Sequence, residues 1–230
     1  MAMRGLTILM ATLLLAGCDS EAAPAPGPAA SAVTLDEDLP VVGPERTILA
    51  FGDSLFAGYN LGPDEGYPER LEPALRARGI NARVIDAGVS GDTSAAGRQR
   101  IAFVLDNMAT PPDLALVELG GNDLLRGLPP AQTRENIAAI LAELKKRDIP
   151  VLLMGMRAPP NLGVEFQAEF DALYPALAQE YDVPLVPFFL AAVFDQPALI
   201  QDDRIHPTAE GIVQIVGATV EQVAGAIPAE

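Results

Sequence analysis

Apolar and polar positions along the chain fall into alternating blocks. Ile48 to Phe51 is an uninterrupted apolar run that reads as a buried parallel strand, and Gly52 breaks it. Tyr67 to Arg78 has Pro68 near its start, Gly79 just past its end, and Leu71 and Leu75 four apart, the marks of an amphipathic helix. Ala82 to Ile85 predicts a short strand. Past the loop Gly88 to Thr93, a helix runs to about Asn107, with Asp92 or Thr93 placed to cap it. Leu114 to Leu119 predicts another strand, stopped by Gly120 and Gly121. Ile137, Ile140, Leu141 and Leu144 share one face of a helix over Pro130 to Arg147. Val151 to Met154 is the next strand, entered through Pro150. Phe166 to Tyr181 is a helix that Pro175 should bend. Leu185 to Val186 is a short last strand, and Pro207 to about Ala226 a closing helix. Strands alternating with helices predict an α/β fold, a three-layer α/β/α sandwich on a parallel five-stranded sheet. There are no internal repeats.

The N-terminus breaks this pattern. Arg4 precedes an apolar run of about 11 residues, Leu6 to Ala16, too short to span a bilayer, and together they read as an export signal. The run ends in Leu15-Ala16-Gly17-Cys18, which resembles the lipobox of bacterial lipoproteins. That resemblance implies a signal peptide over residues 1–18, a lipidated Cys18 and a membrane anchor. The expected location is the bacterial cell envelope, as a periplasmic lipoprotein. Asp19 resembles an inner-membrane retention signal of enteric bacteria, a rule that varies, so inner or outer membrane stays open. Residues 19–44 are rich in Ala, Pro and acidic side chains and read as a disordered tether. The globular domain is then 45–230.

Composition narrows the chemistry. A formal net charge of −16 argues against nucleic acid as a partner and against electrostatic attraction to anionic lipid. The single Cys allows no internal disulfide, and the single His excludes zinc sites built on paired His. We expect no metal, no cofactor and a monomer.

Ser54 stands two residues past Gly52, at the carboxyl edge of the predicted sheet, where open α/β sheets bind ligands. The surroundings are not a Gly-x-Ser-x-Gly elbow, because Phe56 stands where the second Gly should be. A Ser in such a turn is by itself more often a cap. Gly91, Asn122, Asp203 and His206 also lie beyond strand ends or in late loops. A serine hydroxyl needs a base to become a nucleophile, and His206 is the one imidazole in the chain. Asp203 or its neighbour Asp202 can accept from the other ring nitrogen; spacing alone does not choose. The N–H groups of Ser54 and Gly91 and the amide of Asn122 are candidate oxyanion donors, Gly91 because a residue without Cβ allows close approach. Gly88 reads as backbone geometry, Asp53, Asp92 and Asp123 as loop-fixing acceptors, and Glu118 as structural.

Five blocks carry a resemblance: Gly-Asp-Ser-Leu-Phe-Ala-Gly-Tyr from Gly52, Ser-Gly-Asp-Thr-Ser from Ser90, Val-Glu-Leu-Gly-Gly-Asn-Asp-Leu-Leu-Arg-Gly from Val117, Val-Pro-Leu-Val-Pro-Phe-Phe from Val183, and Asp-Asp-Arg-Ile-His-Pro from Asp202. In this order they resemble the SGNH hydrolases, also called the GDSL family, and within it the bacterial multifunctional thioesterases, arylesterases and lysophospholipases. The resemblance runs from about Thr47 to Pro207. It implies a catalytic Ser54, Asp203 and His206, favours Asp203 over Asp202, and implies an oxyanion hole of Ser54, Gly91 and Asn122. It also implies a mobile substrate-binding loop carrying Leu124, Leu125, Leu128 and Pro129. Arg157, Pro159 and Pro160 would form the opposite wall of the pocket. The expected activity is hydrolysis of small acyl or aryl esters, lysophospholipids or thioesters. Two alternatives are a non-catalytic envelope binding module on the same scaffold and a polysaccharide deacetylase. An intact set of site residues argues against the first, and the absence of Trp against the second.

Overall fold

A computed structural model describes residues 41–229. The signal peptide, Cys18 and most of the expected tether lie outside the described residues. Five strands form one parallel sheet: β1 (Arg46–Gly52), β2 (Ala82–Gly88), β3 (Leu114–Glu118), β4 (Val151–Met154) and β5 (Leu185–Val186), in the order β2-β1-β3-β4-β5. Every residue of β1 beyond Arg46 is buried, and so is all of β3, as expected of central strands covered on both faces.

The helices are α1 (Tyr67–Arg76), α2 (Ser94–Asp106), α3 (Gly121–Leu125), α4 (Pro130–Lys146), α5 (Val164–Tyr181) and α6 (Ala209–Ala226). Helix α1 packs on α6, while α2 packs on α4 and α4 on α5, giving two helical layers. A buried bond between Tyr67 Oη and Thr219 Oγ1, 2.8 Å, ties α1 to α6. Tyr174 of α5 donates its hydroxyl to the Leu119 carbonyl, 2.8 Å, just past β3. Among the described residues no helix is long and apolar enough to cross a membrane.

The register sets the site. Gly52 pairs with Gly88 on one side and with Glu118 on the other. The segments leaving β1, β2 and β3 therefore start level, at the carboxyl edge. The chain moves outward from β1 to β2, then returns across β1 to β3. That reversal opens the crevice where doubly wound sheets bind ligands.

Several boundaries differ from the sequence reading. Thr93, not Asp92, caps α2, its side chain accepting from the Ala96 N–H at 3.3 Å. Strand β2 runs on to Gly88 because β1 continues to pair with it. Helix α6 starts at Ala209, since Pro207 bridges Ile200 and Thr208 supplies the cap. Pro175 lies inside one continuous α5. The stretch read as a loop after Asn122 is a correction: Gly121 to Leu125 is a short helix entered from Gly120 at φ 116°. Only glycine adopts that angle readily, and a Cβ there would collide with the Tyr174 hydroxyl at 2.3 Å.

Candidate active site

The turn after β1 is held from beneath. Leu55 and Phe56 point into the core, and the Phe56 ring stacks on Tyr67 and meets Phe189 edge-on, with centroids 5.2 and 5.5 Å away. This is why a large apolar residue replaces the glycine of a Gly-x-Ser-x-Gly elbow. The close approach is supplied instead by Gly88, where a Cβ would lie 2.4 Å from the Ala57 nitrogen. The Ala57 N–H donates to the Asp53 carbonyl at 3.0 Å and the Tyr59 N–H to that of Ser54 at 3.2 Å, winding one tight turn around the serine.

His206 arrives from the loop before α6. Its Nε2 lies 2.8 Å from Ser54 Oγ, and its Nδ1 lies 2.6 Å from Asp203 Oδ2. The other oxygen of Asp203 accepts the N–H groups of Ile205, 2.9 Å, and His206, 3.0 Å. The carboxylate thus shapes the loop as well as facing the ring. Burial would raise the Asp203 carboxyl, but the His206 side-chain bond and the two backbone N–H groups outweigh it and hold the group below the usual carboxylate range. An ionised Asp203 makes Nδ1 the protonated ring nitrogen and leaves Nε2 facing the serine as an acceptor. Of the two neighbouring carboxylates, Asp203 is the one in contact with the ring.

Two residues that the sequence reading passed over support this loop. Gln201 Nε2 donates to the carbonyls of Tyr59, 2.9 Å, and Pro207, 2.8 Å, joining the serine turn to the histidine loop. The Tyr59 ring lies against His206, with centroids 4.4 Å apart. No local pattern announces either pairing, because both partners come from distant parts of the chain.

Gly91 and Asn122 lie in the segments that follow β2 and β3. Gly91 has φ 88°, and an added Cβ would meet nothing nearer than Arg126 at 3.9 Å. The positive φ is a backbone angle that favours glycine at this position. Arg126 Nη2 donates to the Gly91 carbonyl at 2.9 Å, linking this loop to the end of α3. Arg100 Nε pairs with Asp92 at 2.6 Å and its Nη2 donates to the Gly52 carbonyl at 2.8 Å, fixing the loop to β1. Asn122 Nδ2 donates to Asp53 Oδ2 at 3.0 Å. Asp53 Oδ1 accepts from the Leu55 N–H at 3.0 Å and lies 3.5 Å from Ser54 Oγ. Asp123 accepts both the N–H, at 2.7 Å, and the hydroxyl of Ser94, locking α3 to α2. Asp53, Asp92 and Asp123 are the acceptors they were read to be, but Asp53 also connects the serine turn to Asn122.

Beneath Asp53 sits Glu118, fully buried at the end of β3. Its Oε2 accepts the Asp53 N–H at 3.4 Å, and its Oε1 has no partner. Burial, and then the charge of Asp53, pushes the Glu118 carboxyl well up. Burial also raises Asp53, against bonds from Leu55, Glu118 and Asn122 that pull it back.

The expected pocket residues divide. Leu124 is 9% exposed, packed against the core by the short helix α3. Leu125 is 60% exposed, Leu128 half-buried and Pro129 exposed. Arg157 is exposed and its guanidinium lies 5.5 Å from the Phe188 ring centroid. Pro159 is half-buried, and Pro160 opens a single 3₁₀ turn. The two stretches leave separate strands, β3 and β4. Among the described residues no group of three or more His, Cys, Asp or Glu side chains is placed to hold a metal ion.

A hydrogen-bonded Ser–His–Asp chain at the carboxyl edge of a parallel sheet is the arrangement of serine hydrolases. Residues 50–212 match the GDSL-like Lipase/Acylhydrolase family, and the chain belongs to it. AlinE4, an esterase of the SGNH-hydrolase family, has a crystal structure similar to this chain, with TM-score 0.70 and 64% identity over 82% of this chain and 100% of that one. The thioesterase 1/protease 1/lysophospholipase L1 of Escherichia coli K12 is 42% identical over 164 residues, 71% of this chain and 76% of that protein. An arylesterase of Vibrio mimicus is 39% identical over 163 residues, 71% of this chain and 80% of that protein. The protein is an ester hydrolase of the SGNH type.

Proposed function

We propose that Ser54 is the nucleophile of this esterase, with His206 as general base and acid and Asp203 orienting the imidazole. The observation that carries the reading is the continuous chain from Ser54 Oγ through His206 to Asp203, at 2.8 and 2.6 Å. Ser54 Oγ attacks the acyl carbon as its proton passes to Nε2. The tetrahedral oxyanion is met by the N–H groups of Ser54 and Gly91 and the amide of Asn122. His206 then protonates the leaving alkoxide or thiolate, and water activated by the same nitrogen releases the acid. Asp203 stays ionised throughout, in keeping with its lowered carboxyl.

The substrates we propose are acyl and aryl esters, lysophospholipids and thioesters, with Leu125, Leu128 and Pro129 on one side of the acyl chain and Arg157, Pro159 and Pro160 on the other. The names of the relatives from Escherichia coli and Vibrio mimicus support this range. A lipid anchor at Cys18 would hold the enzyme in the envelope, where lysophospholipids are accessible and acyl-CoA is not. Thioester cleavage by the purified enzyme is then incidental. Initial rates on p-nitrophenyl esters of increasing acyl length, beside lysophospholipid hydrolysis, test the assignment. Medium or long acyl chains support it, acetyl-only cleavage points to a deacetylase, and no hydrolysis overturns it. Cys18→Ser should lose label from a clickable fatty acid; undiminished label would remove Cys18 as the anchor.

A further inference from the structure

Glu118 is a buried ionisable group that the mechanism does not use, and it touches the residue that holds Asn122. We propose that Glu118 is a neutral acid beneath Asp53, and that Asp53, kept as the anion, aims the Asn122 amide at the oxyanion. Both are positioning residues for ester hydrolysis. The inference rests on the reading of Asn122 as an oxyanion donor.

The placement of partners assigns the proton. Asp53 has an N–H donor on each oxygen: Leu55 on Oδ1 at 3.0 Å and Asn122 on Oδ2 at 3.0 Å. Glu118 has one long N–H contact, 3.4 Å, and one oxygen with nothing opposite. A carboxylate with an unpartnered oxygen in a dry core is costly; a neutral carboxylic acid there costs far less. Burial raises the carboxyl of Asp53, and the bonds from Leu55 and Asn122 pull it back toward the anion, while the Tyr174 hydroxyl from α5 is raised by burial first and then by the charge of Glu118, Asp123 and Asp53.

An anionic Asp53 also explains the amide geometry. One N–H of Asn122 is bound to Asp53, which fixes the amide plane and leaves the second N–H for the oxyanion. The cradle is tight: a Cβ on Gly52 would lie 2.8 Å from the Glu118 carbonyl and 3.0 Å from Oε2. The two carboxyl groups have little room to rearrange.

A double-mutant cycle separates positioning from folding. Asp53→Asn should lower kcat roughly 10- to 100-fold with KM within about twofold, less than the loss of an oxyanion donor itself. In an Asn122→Ala background the same change should cost less than about threefold, because the donor it aims is gone. Infrared spectra of the unaltered enzyme at neutral pH should show a protonated carboxylic-acid band that moves when Glu is carbon-13 labelled. An absent band, or a band that ignores the label, overturns the inference whether or not the variants fold. A full Asp53→Asn penalty in the Asn122→Ala background also overturns it, leaving the oxyanion assignment standing. If Asn122→Ala leaves kcat unchanged while Ser54→Ala abolishes it, the oxyanion assignment fails and the positioning role with it.

Discussion

The loop carrying Asp203 and His206 and the junction of Asp53 with Glu118 flank the same serine, and they treat carboxyl groups in opposite ways. Asp203 sits at the rim with three donors, the N–H groups of Ile205 and His206 and the imidazole, and its carboxyl is lowered. Glu118 lies in the floor with one long N–H contact and an unpartnered oxygen, and its carboxyl is raised. The residue chemistry is nearly the same; the supply of donors differs. Asp203 is placed where three donors hold its charge. Glu118 has one long N–H contact to hold a charge, which is the ground for proposing that it keeps its proton.

The comparison is broken most severely by removing the chain it surrounds. Ser54→Ala and His206→Ala should each cut kcat on the order of 10⁶-fold, with the circular dichroism spectrum unchanged. The double variant should lose no more than either one, since the two act as a unit. Steady-state ester hydrolysis reads this, and near-normal turnover by His206→Ala would end the triad assignment, because the chain has no second imidazole.

The rim half is sharpened by two neighbouring carboxylates. Asp203→Ala should lower kcat on the order of 10⁴-fold, because the ring loses its tautomer and its support together. Asp202→Ala should stay within about threefold, because the structure turns Asp203, not Asp202, to the ring. Comparing kcat for the two variants on one ester decides it; equal losses would mean that either residue can serve the histidine.

How much of this was legible depends on the type of signal. Strands β1 and β3 are continuous apolar runs because both faces are covered, and the sequence displays that directly. The outer strand β2 is half-exposed, so its last residues, Asp86 to Gly88, carry only Ala87 as an apolar mark although they still pair. Helix α3 has five residues, too few for a period to show, and burying Leu124 depends on that hidden turn. Ser54, Asn122, Asp203 and His206 could be named from motif and residue chemistry. Choosing Asp203 over Asp202 on the residues alone needed the distances. Gln201, Tyr59 and Arg126 escaped because their partners lie far away in the chain. Glu118 at a strand end near the site stands out in the sequence as a charge, but its unpartnered oxygen shows only in the structure.

The floor half makes the smallest and most specific prediction, in stability against pH. Glu118 unfolded titrates near an ordinary Glu, about 4.3. Folded, it is raised well above that by burial and by Asp53. Between those two values the unfolded chain has released a proton that the folded chain keeps, so stability falls as pH rises, by up to about 1.4 kcal/mol per pH unit for one group. The contribution is complete below about pH 4.3 and lost as pH passes the folded value. Asp203 acts with the opposite sign and in another window: its lowered carboxyl contributes above about pH 3.9 and is lost only as pH falls through the folded value. Glu118→Gln puts a neutral amide in place of the neutral acid and removes the Glu118 slope alone. Urea midpoints measured from pH 5 to 8 should therefore decline less in Glu118→Gln than in the parent. The gap between the two curves should widen with pH until the folded group ionises, with esterase kcat at pH 7 changed by no more than a few-fold. Parallel curves across that window would mean that the folded protein ionises Glu118 as readily as the unfolded chain does, and the contrast between rim and floor would disappear.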